Sequence, residues 1–349
     1  MKQHIRILTF TVLCVLLCGC EGTSGKTELP TVIPAQTEPA PSVSTAASEA
    51  TATTKNDFVE IIRSVGHGVD KRRAQYVQKE EGKCLSYDGR EMELPYFIEA
   101  DGPEYRCVGI VLFVDGMPQP YKTLQDPTYR YVHFFSCHRD LYTYSEVFSF
   151  IPVTGKKGDL IAVSTFSLLQ PDYSVSDGNT GMVYAQGTTS TDFYISFNAD
   201  PPEAPYDPVS EDCTVLTKDT PKVDTNGWSA EDLGNRNAFR SSSSLDGRDG
   251  KYIYGVTPET EVVYRAEVWG SPLVNYRVVF FADNKPIRCV PVSVEQGKTT
   301  VVEALVLLPD FDGEAIACAF LLPRNAIQSG TTGCLPLAGS TTFLLAPKE

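Results

Sequence analysis

The sequence predicts an all-β protein, two tandem β-sandwich domains behind a disordered N-terminal tether, and three observations predict it. Beyond Asp57 the chain is a succession of short runs of Val, Ile, Phe and Tyr, broken by Gly, Pro and Asp turns about every eight to twelve residues, without a sustained helical period. Three blocks of sequence recur in the same order in the second half, as in a duplicated architecture. Ahead of them, the 36 residues from Glu21 to Asn56 hold eight Thr, six Ala, four Pro and four Ser and no aromatic side chain, so they cannot pack a core.

The N-terminus comes first. Lys2 and Arg6 give a positive start, and a mostly apolar run from Ile7 to Cys18 follows. That run is too short for the ~30 Å hydrocarbon core of a bilayer and has the size of a signal-peptide apolar region. It ends in Leu17-Cys18-Gly19-Cys20, which resembles the lipobox of bacterial lipoproteins; Cys18 stands where Ala, Ser or Thr is usual. The resemblance implies that residues 1–19 are removed and that Cys20 becomes the lipid-bearing first residue. Two or more acyl chains, at about 0.8 kcal/mol per buried methylene, would hold the chain firmly at a membrane. Residues 20–56 then form a linker with a root-mean-square span of about 30–36 Å, extended further by its prolines.

The folded part is expected in three pieces. Residues 57–200 form the first sandwich, with an N-terminal arm over 57–81. There the spacing of Phe58, Ile61, Ile62, Val65 and Val69 allows a helix that Gly66 and Gly68 interrupt. Residues 201–254 form an acidic Pro- and Ser-rich interdomain segment, and 255–349 the second sandwich. In the first sandwich, Leu94-Pro95-Tyr96-Phe97-Ile98 and the run Cys107 to Val114 read as strands ending at Asp101-Gly102-Pro103 and Asp115-Gly116.

The repeat supports the division. Gly109-Ile-Val-Leu-Phe-Val-Asp115-Gly-Met-Pro118 matches Arg277-Val-Val-Phe-Phe-Ala-Asp283-Asn-Lys-Pro286. Gly158-Asp-Leu-Ile161-Ala matches Gly313-Glu-Ala-Ile316-Ala, and the stretch Gly187 to Ile195 matches Gly339 to Leu345. In size and strand pattern each half resembles an immunoglobulin-like sandwich, although the Trp that packs on a disulfide in antibody-type domains has no clear counterpart.

Composition narrows the partners. Formal net charge is −14, from 44 acidic against 30 basic side chains. This argues against a broad phosphate-backbone contact, so nucleic acid is not an expected partner. After the signal, seven cysteines remain: Cys84, Cys107, Cys137, Cys213, Cys289, Cys318 and Cys334. They read either as buried free thiols or as one or two bridges, because the two halves do not share cysteine positions.

No catalytic residue, cofactor or metal is assigned. His-Glu-x-x-His and Gly-x-Ser-x-Gly are absent, and Gly66-His67-Gly68 does not lead from a strand into a helix as a phosphate loop does. His133, Cys137, His138 and Asp140 are dense, but lack a second ligand pair at recognisable spacing.

The remaining candidate is an aromatic stretch peculiar to the first half. Tyr129, Tyr131, Tyr142 and Tyr144 with Arg139 combine flat rings and a hydrogen-bonding cation, the equipment of glycan or peptide recognition. The competing reading is a hairpin, in which Tyr129–Phe135 and Tyr142–Phe148 supply cross-strand aromatic pairs. The leading functional expectation is an extracytoplasmic, lipid-anchored lipoprotein with a binding or structural role at the cell envelope. Its partners would be the membrane through the lipid and a cell-wall glycan or surface protein. The alternatives are a wall- or polysaccharide-acting enzyme with scattered carboxylates, and an accessory subunit of a surface assembly.

Overall fold

Alternation of side chains decides the strands. On the segment Met92–Asp101, Met92, Leu94, Tyr96 and Ile98 are buried while Glu93 and Glu99 face water. On Glu261–Trp269, Val262, Tyr264, Ala266 and Val268 are buried between more exposed neighbours. Each is a half-buried strand of period two. A computed structural model of the chain describes residues 64–79, 82–101, 106–137, 142–169, 186–207, 209–219, 238–240, 253–269, 275–295, 298–313, 315–324, 338–339 and 343–347. They all lie in one unit, Phe58–Glu349. Among the described residues every regular element is a strand.

The first sandwich contains β1 (Ser64–Val69), β2 (Tyr76–Lys79), β3 (Gly82–Tyr87), β4 (Met92–Asp101), β5 (Arg106–Val114), β6 (Met117–Pro118), β7 (Val132–Cys137), β8 (Tyr142–Phe150), β9 (Leu160–Leu169) and β10 (Gln186–Phe197). One sheet has the order β1-β4-β8. The facing sheet runs β2-β3-β10-β9-β5-β6, with β7 also pairing β5. The second sandwich contains β11 (Thr214–Asp219), β12 (Ala238–Arg240), β13 (Ile253–Val256), β14 (Glu261–Trp269), β15 (Asn275–Ala282), β16 (Lys285–Val292), β17 (Lys298–Leu307), β18 (Ala315–Arg324), β19 (Ala338–Gly339) and β20 (Phe343–Pro347). Its sheets are β11-β17-β14-β12 and β13-β20-β18-β15-β16, with β19 on β18.

The two halves share a topology. β3 runs parallel to β10, which joins β9 and then β5; β13 runs parallel to β20, which joins β18 and then β15. On the opposite sheet β4 pairs β8, as β14 pairs β17. This is the immunoglobulin-like plan twice over. The matched turns agree in detail. Asp115 and Gly116 have φ of 51° and 74°, and Asp283 and Asn284 have φ of 47° and 59°. Two consecutive left-handed residues make the tight hairpin turn that Asp, Asn and Gly tolerate best.

Four features differ from the sequence reading. The segment with partial helical spacing contains β1, paired with β4 over Ser64–Asp101 to Val69–Tyr96. His67 within it is buried, with Nδ1 2.7 Å from Tyr96 Oη, and Tyr96 Oη donates to Thr165 Oγ1 at 2.8 Å. That polar link ties β1 and β4 to β9 of the facing sheet. The aromatic hairpin does not form, since β7 pairs β5 and β8 pairs β4. Phe135 and Phe148 instead meet across the core, ring centroids 6.2 Å apart.

The second repeat block shifts by one residue. Asp115 N donates to Ala162 O (3.0 Å) and Asp283 N to Ile316 O (2.8 Å). Ala162 and Ile316 are therefore equivalent, where the sequence match set Ile161 against Ile316. Finally, β11 and β12 lie within residues 201–254 and are strands of the second sandwich's sheet.

Each sandwich has its own core, around Tyr96, Ile110, Phe148 and Ile195 in the first and Tyr264, Phe280, Val302 and Leu321 in the second. A third cluster lies between them. It joins Val111, Phe113, Phe166 and Leu168 of β5 and β9 to Val279, Phe281, Cys318, Phe320 and Leu322 of β15 and β18. These strands are buried on both faces, which is why they read as unbroken apolar runs rather than alternating ones.

The turns and ladders make Phe113 equivalent to Phe281 and Phe166 equivalent to Phe320. Each meets its own equivalent, with centroids 6.2 Å and 4.8 Å apart. This is the relation that a two-fold axis gives to an isologous interface, realised here within one chain. At the rim the Arg277 guanidinium pairs with Glu211 (2.7 Å) and its Nε donates to Asp115 O (3.3 Å), while Cys289 N donates to Ser210 O (3.0 Å). Residues 209–211 thus strap the seam.

Among the described cysteines, Cys84, Cys289 and Cys318 are buried, and Cys213 is exposed; Cys289, Cys318 and Cys213 are free thiols. Burial pushes Cys289 and Cys318 up to about 12, so both remain protonated and inert as nucleophiles at neutral pH.

Candidate functional site

The strand-end turn of β5–β6 leads into a fully buried glutamine. Gln119 Oε1 accepts from Val153 N (2.8 Å), and its Nε2 lies 2.7 Å from Pro120 O, 3.0 Å from Ile151 O and 2.9 Å from Tyr206 Oη. Tyr206 Oη donates in turn to Ile151 O. A side-chain amide inside the first sandwich therefore fixes a tyrosine from the segment that follows β10. Burial pushes the Tyr206 phenol well above its ordinary value, so it stays a neutral donor.

Tyr129 lies edge-on to Tyr206, ring centroids 5.5 Å apart. Its hydroxyl donates to Glu91, and Lys122 Nζ lies 2.7 Å from the same carboxylate and 4.4 Å above the Tyr129 ring. Burial works against the Glu91 charge, but the hydrogen bonds from Lys122 and Tyr129 outweigh it and hold the carboxyl below the usual range. The same hydrogen bond raises the Lys122 ammonium.

Beside this group opens a cleft of about 450 Å³. One wall is Met117, Pro118, Tyr131 and Val153 of the first sandwich; the other is residues 203–207 and Val209. Tyr131 is half-buried, and burial followed by the nearby Asp207 carboxylate raises its phenol. Glu203 and Asp207 are exposed at the mouth. The result is a concave, partly apolar surface with a few fixed polar groups, the usual form of a ligand site.

Tyr129 and Tyr131, two of the residues singled out from sequence, are thus together at this edge. Tyr142 and Tyr144 pair through their backbones with Ala100 and Ile98 on the other sheet; their side chains lie outside the described residues, as do Arg139 and Cys20. His133 is a core residue, with Nε2 2.7 Å from Tyr121 O and Nδ1 3.8 Å from the Asp126 carboxylate. Burial keeps it below its ordinary pKa. His138, Asp140 and the Cys137 side chain lie outside the described residues.

Gln119, Tyr206, Glu91 and Asp207 were not foreseen as parts of a site. Gln119 and Tyr206 are 87 residues apart, and Tyr206 falls in a proline-rich stretch that reads as linker. The one available signal was an isolated Tyr among the prolines.

No family model matches the chain, and no curated protein matches it. Among solved structures it is similar to the fibronectin(III)-like modules of Clostridium thermocellum CbhA, at 9% identity and a TM-score of 0.19. That match covers 81% of this chain and 94% of that one. It is also similar to the C-terminal domain of the Streptococcus pyogenes antigen I/II-family protein AspA, at 9% identity and a TM-score of 0.19, over 82% and 99%. A calcium binding domain of CALX1.1 follows at 9% identity and 0.18, over 75% and 95%.

Proposed function

We propose that this chain is an extracytoplasmic, lipid-anchored lipoprotein whose paired sandwiches act as one binding body, with the tyrosine-edged cleft as its ligand site. The observation that carries the reading is the locking of Tyr206 by Gln119 beside Tyr129 and Tyr131. A buried amide holding a ring from a distant segment preorganises a recognition surface and lowers the entropy lost on binding. The anchor rests on the apolar leader and on Leu17-Cys18-Gly19-Cys20. The acidic charge disfavours polyanions, leaving a wall glycan or a surface protein as partner.

The test has two arms. Cys20→Ala should abolish incorporation of labelled fatty acid and leave precursor or released protein; unchanged labelling overturns the anchor. On glycan and peptide arrays, Tyr129→Ala and Tyr131→Ala should each weaken the wild-type signal by about tenfold, the worth of a ring contact of ~1.4 kcal/mol. An unchanged array profile overturns the site.

A further inference from the structure

We propose that the cleft takes an arginine side chain presented by a polypeptide partner; this deepens the reading above and rests on it. Its lining carries two carboxylates, Glu203 and Asp207, two tyrosine rings, Tyr131 and Tyr206, and no basic side chain among the described residues. An anion finds no counter-charge there. A cation finds ring faces, whose negative quadrupole attracts it, and carboxylates at the mouth.

The neighbouring group shows the chain using the same chemistry on itself. Lys122 sits over the Tyr129 ring at 4.4 Å while pairing with Glu91 at 2.7 Å. In the cleft, Tyr131 and Asp207 offer a ring and a carboxylate; burial first, and then the nearby Asp207 charge, raises the Tyr131 phenol. Among the described lining residues none supplies their cationic partner, and the proposal gives that place to another molecule.

Arginine fits better than a small amine. A planar guanidinium stacks on a tyrosine while its N–H fork pairs with carboxylates, which a compact ammonium cannot do together. The volume of about 450 Å³ exceeds a lone cation, and Met117, Pro118 and Val153 give apolar surface for a methylene stem and the flanking backbone.

The experiment uses the full chain and a fluorescent decapeptide with one central arginine among glycine and proline residues. Its twin carries citrulline, neutral and nearly the same shape, and a chitin oligosaccharide serves as third probe. The arginine peptide should bind at least about tenfold more tightly than the citrulline peptide, and its affinity should fall as salt rises. Asp207→Asn and Glu203→Gln, both exposed and conservative, should each remove about two- to fivefold of that difference; Tyr131→Phe should remove little.

Equal binding of the two peptides, abolished by Tyr131→Ala, overturns the cationic preference and leaves the cleft reading standing. Binding of the oligosaccharide alone, lost in Tyr131→Ala, does the same and assigns a glycan. Failure of all three probes to bind counts against both. Unchanged melting of each variant excludes loss of fold as the cause.

Discussion

Of the two buried histidines among the described residues of the first sandwich, His133 should make it sensitive to acid. His133 is 5% exposed, and burial, the largest influence, lowers its pKa from 6.5. The carbonyl of Tyr121 and the charges of Asp126 and Glu146 favour the protonated ring and Arg130 opposes it, but burial prevails. The unfolded chain takes up this proton below about pH 6.5 and the folded chain resists it, so stability is full above that value and falls as the pH drops toward the depressed folded pKa. His133→Gln removes the titration. Urea unfolding at about pH 7.5 and about pH 5 should show a smaller difference in the variant than in the wild type; an equal difference would assign the acid sensitivity elsewhere. Sequence marked His133 as one member of a dense polar group, yet it could not show that the ring is enclosed by β7 and the Tyr121 carbonyl. Tyr129 and Tyr131 stood out in the sequence as rings flanking Arg130, but the sequence left open whether they lie in an aromatic hairpin or at a recognition surface. Tyr206 did not stand out, because what holds it is an amide far away in the chain.

At the level of elements, the hairpin turns were the most legible part. Asp115-Gly116 and Asp283-Asn284 stand between apolar runs, and both adopt two left-handed residues in succession. Asn284, at φ 59°, predicts its own mutations. Asn284→Gly relieves the side-chain cost and should leave stability unchanged or slightly raised, whereas Asn284→Val should cost about 1–2 kcal/mol. Chemical denaturation midpoints of the two variants measure the difference, and equal midpoints would refute the turn assignment. Register was less legible. The β9 and β18 strands are buried on both faces, so they lack the inside–outside alternation that fixes a strand's phase, and similarity of Ile161-Ala162 to Ile316-Ala317 placed them one residue out of step. The aromatic hairpin was misread for a related reason: Tyr129–Phe135 and Tyr142–Phe148 have the right alternation, but alternation does not say which strand a neighbour is. Val132 and Phe135 are drawn to β5, and Phe148 to β4, by burial in different sheets.

The whole molecule turns on which face of a strand a residue occupies. Leu321 and Phe320 are consecutive on β18, both buried to 1% or less, yet Leu321 belongs to the core of the second sandwich and Phe320 to the cluster between sandwiches. Phe320 lies 5.5 Å from Phe113, 4.8 Å from Phe166 and 5.3 Å from Phe281, so it is the ring around which the seam is built. Truncating either side chain should cost about 2–5 kcal/mol, but the cost falls in different places. Leu321→Ala weakens one sandwich and leaves the strapped seam closed until that sandwich unfolds. Phe320→Ala weakens the association of two otherwise intact cores, so residues 209–211 lose the packing of Val209 on the cluster between the sandwiches, while Glu211 stays paired with Arg277 of the second sandwich. Limited proteolysis under native conditions should therefore cut this strap faster in Phe320→Ala than in Leu321→Ala at matched stability, because local opening rather than global unfolding exposes it. Equal cleavage rates would mean that the sandwiches come apart only by unfolding. The cleft, one wall of which is the same segment, would then draw its rigidity from the first sandwich and Gln119 alone.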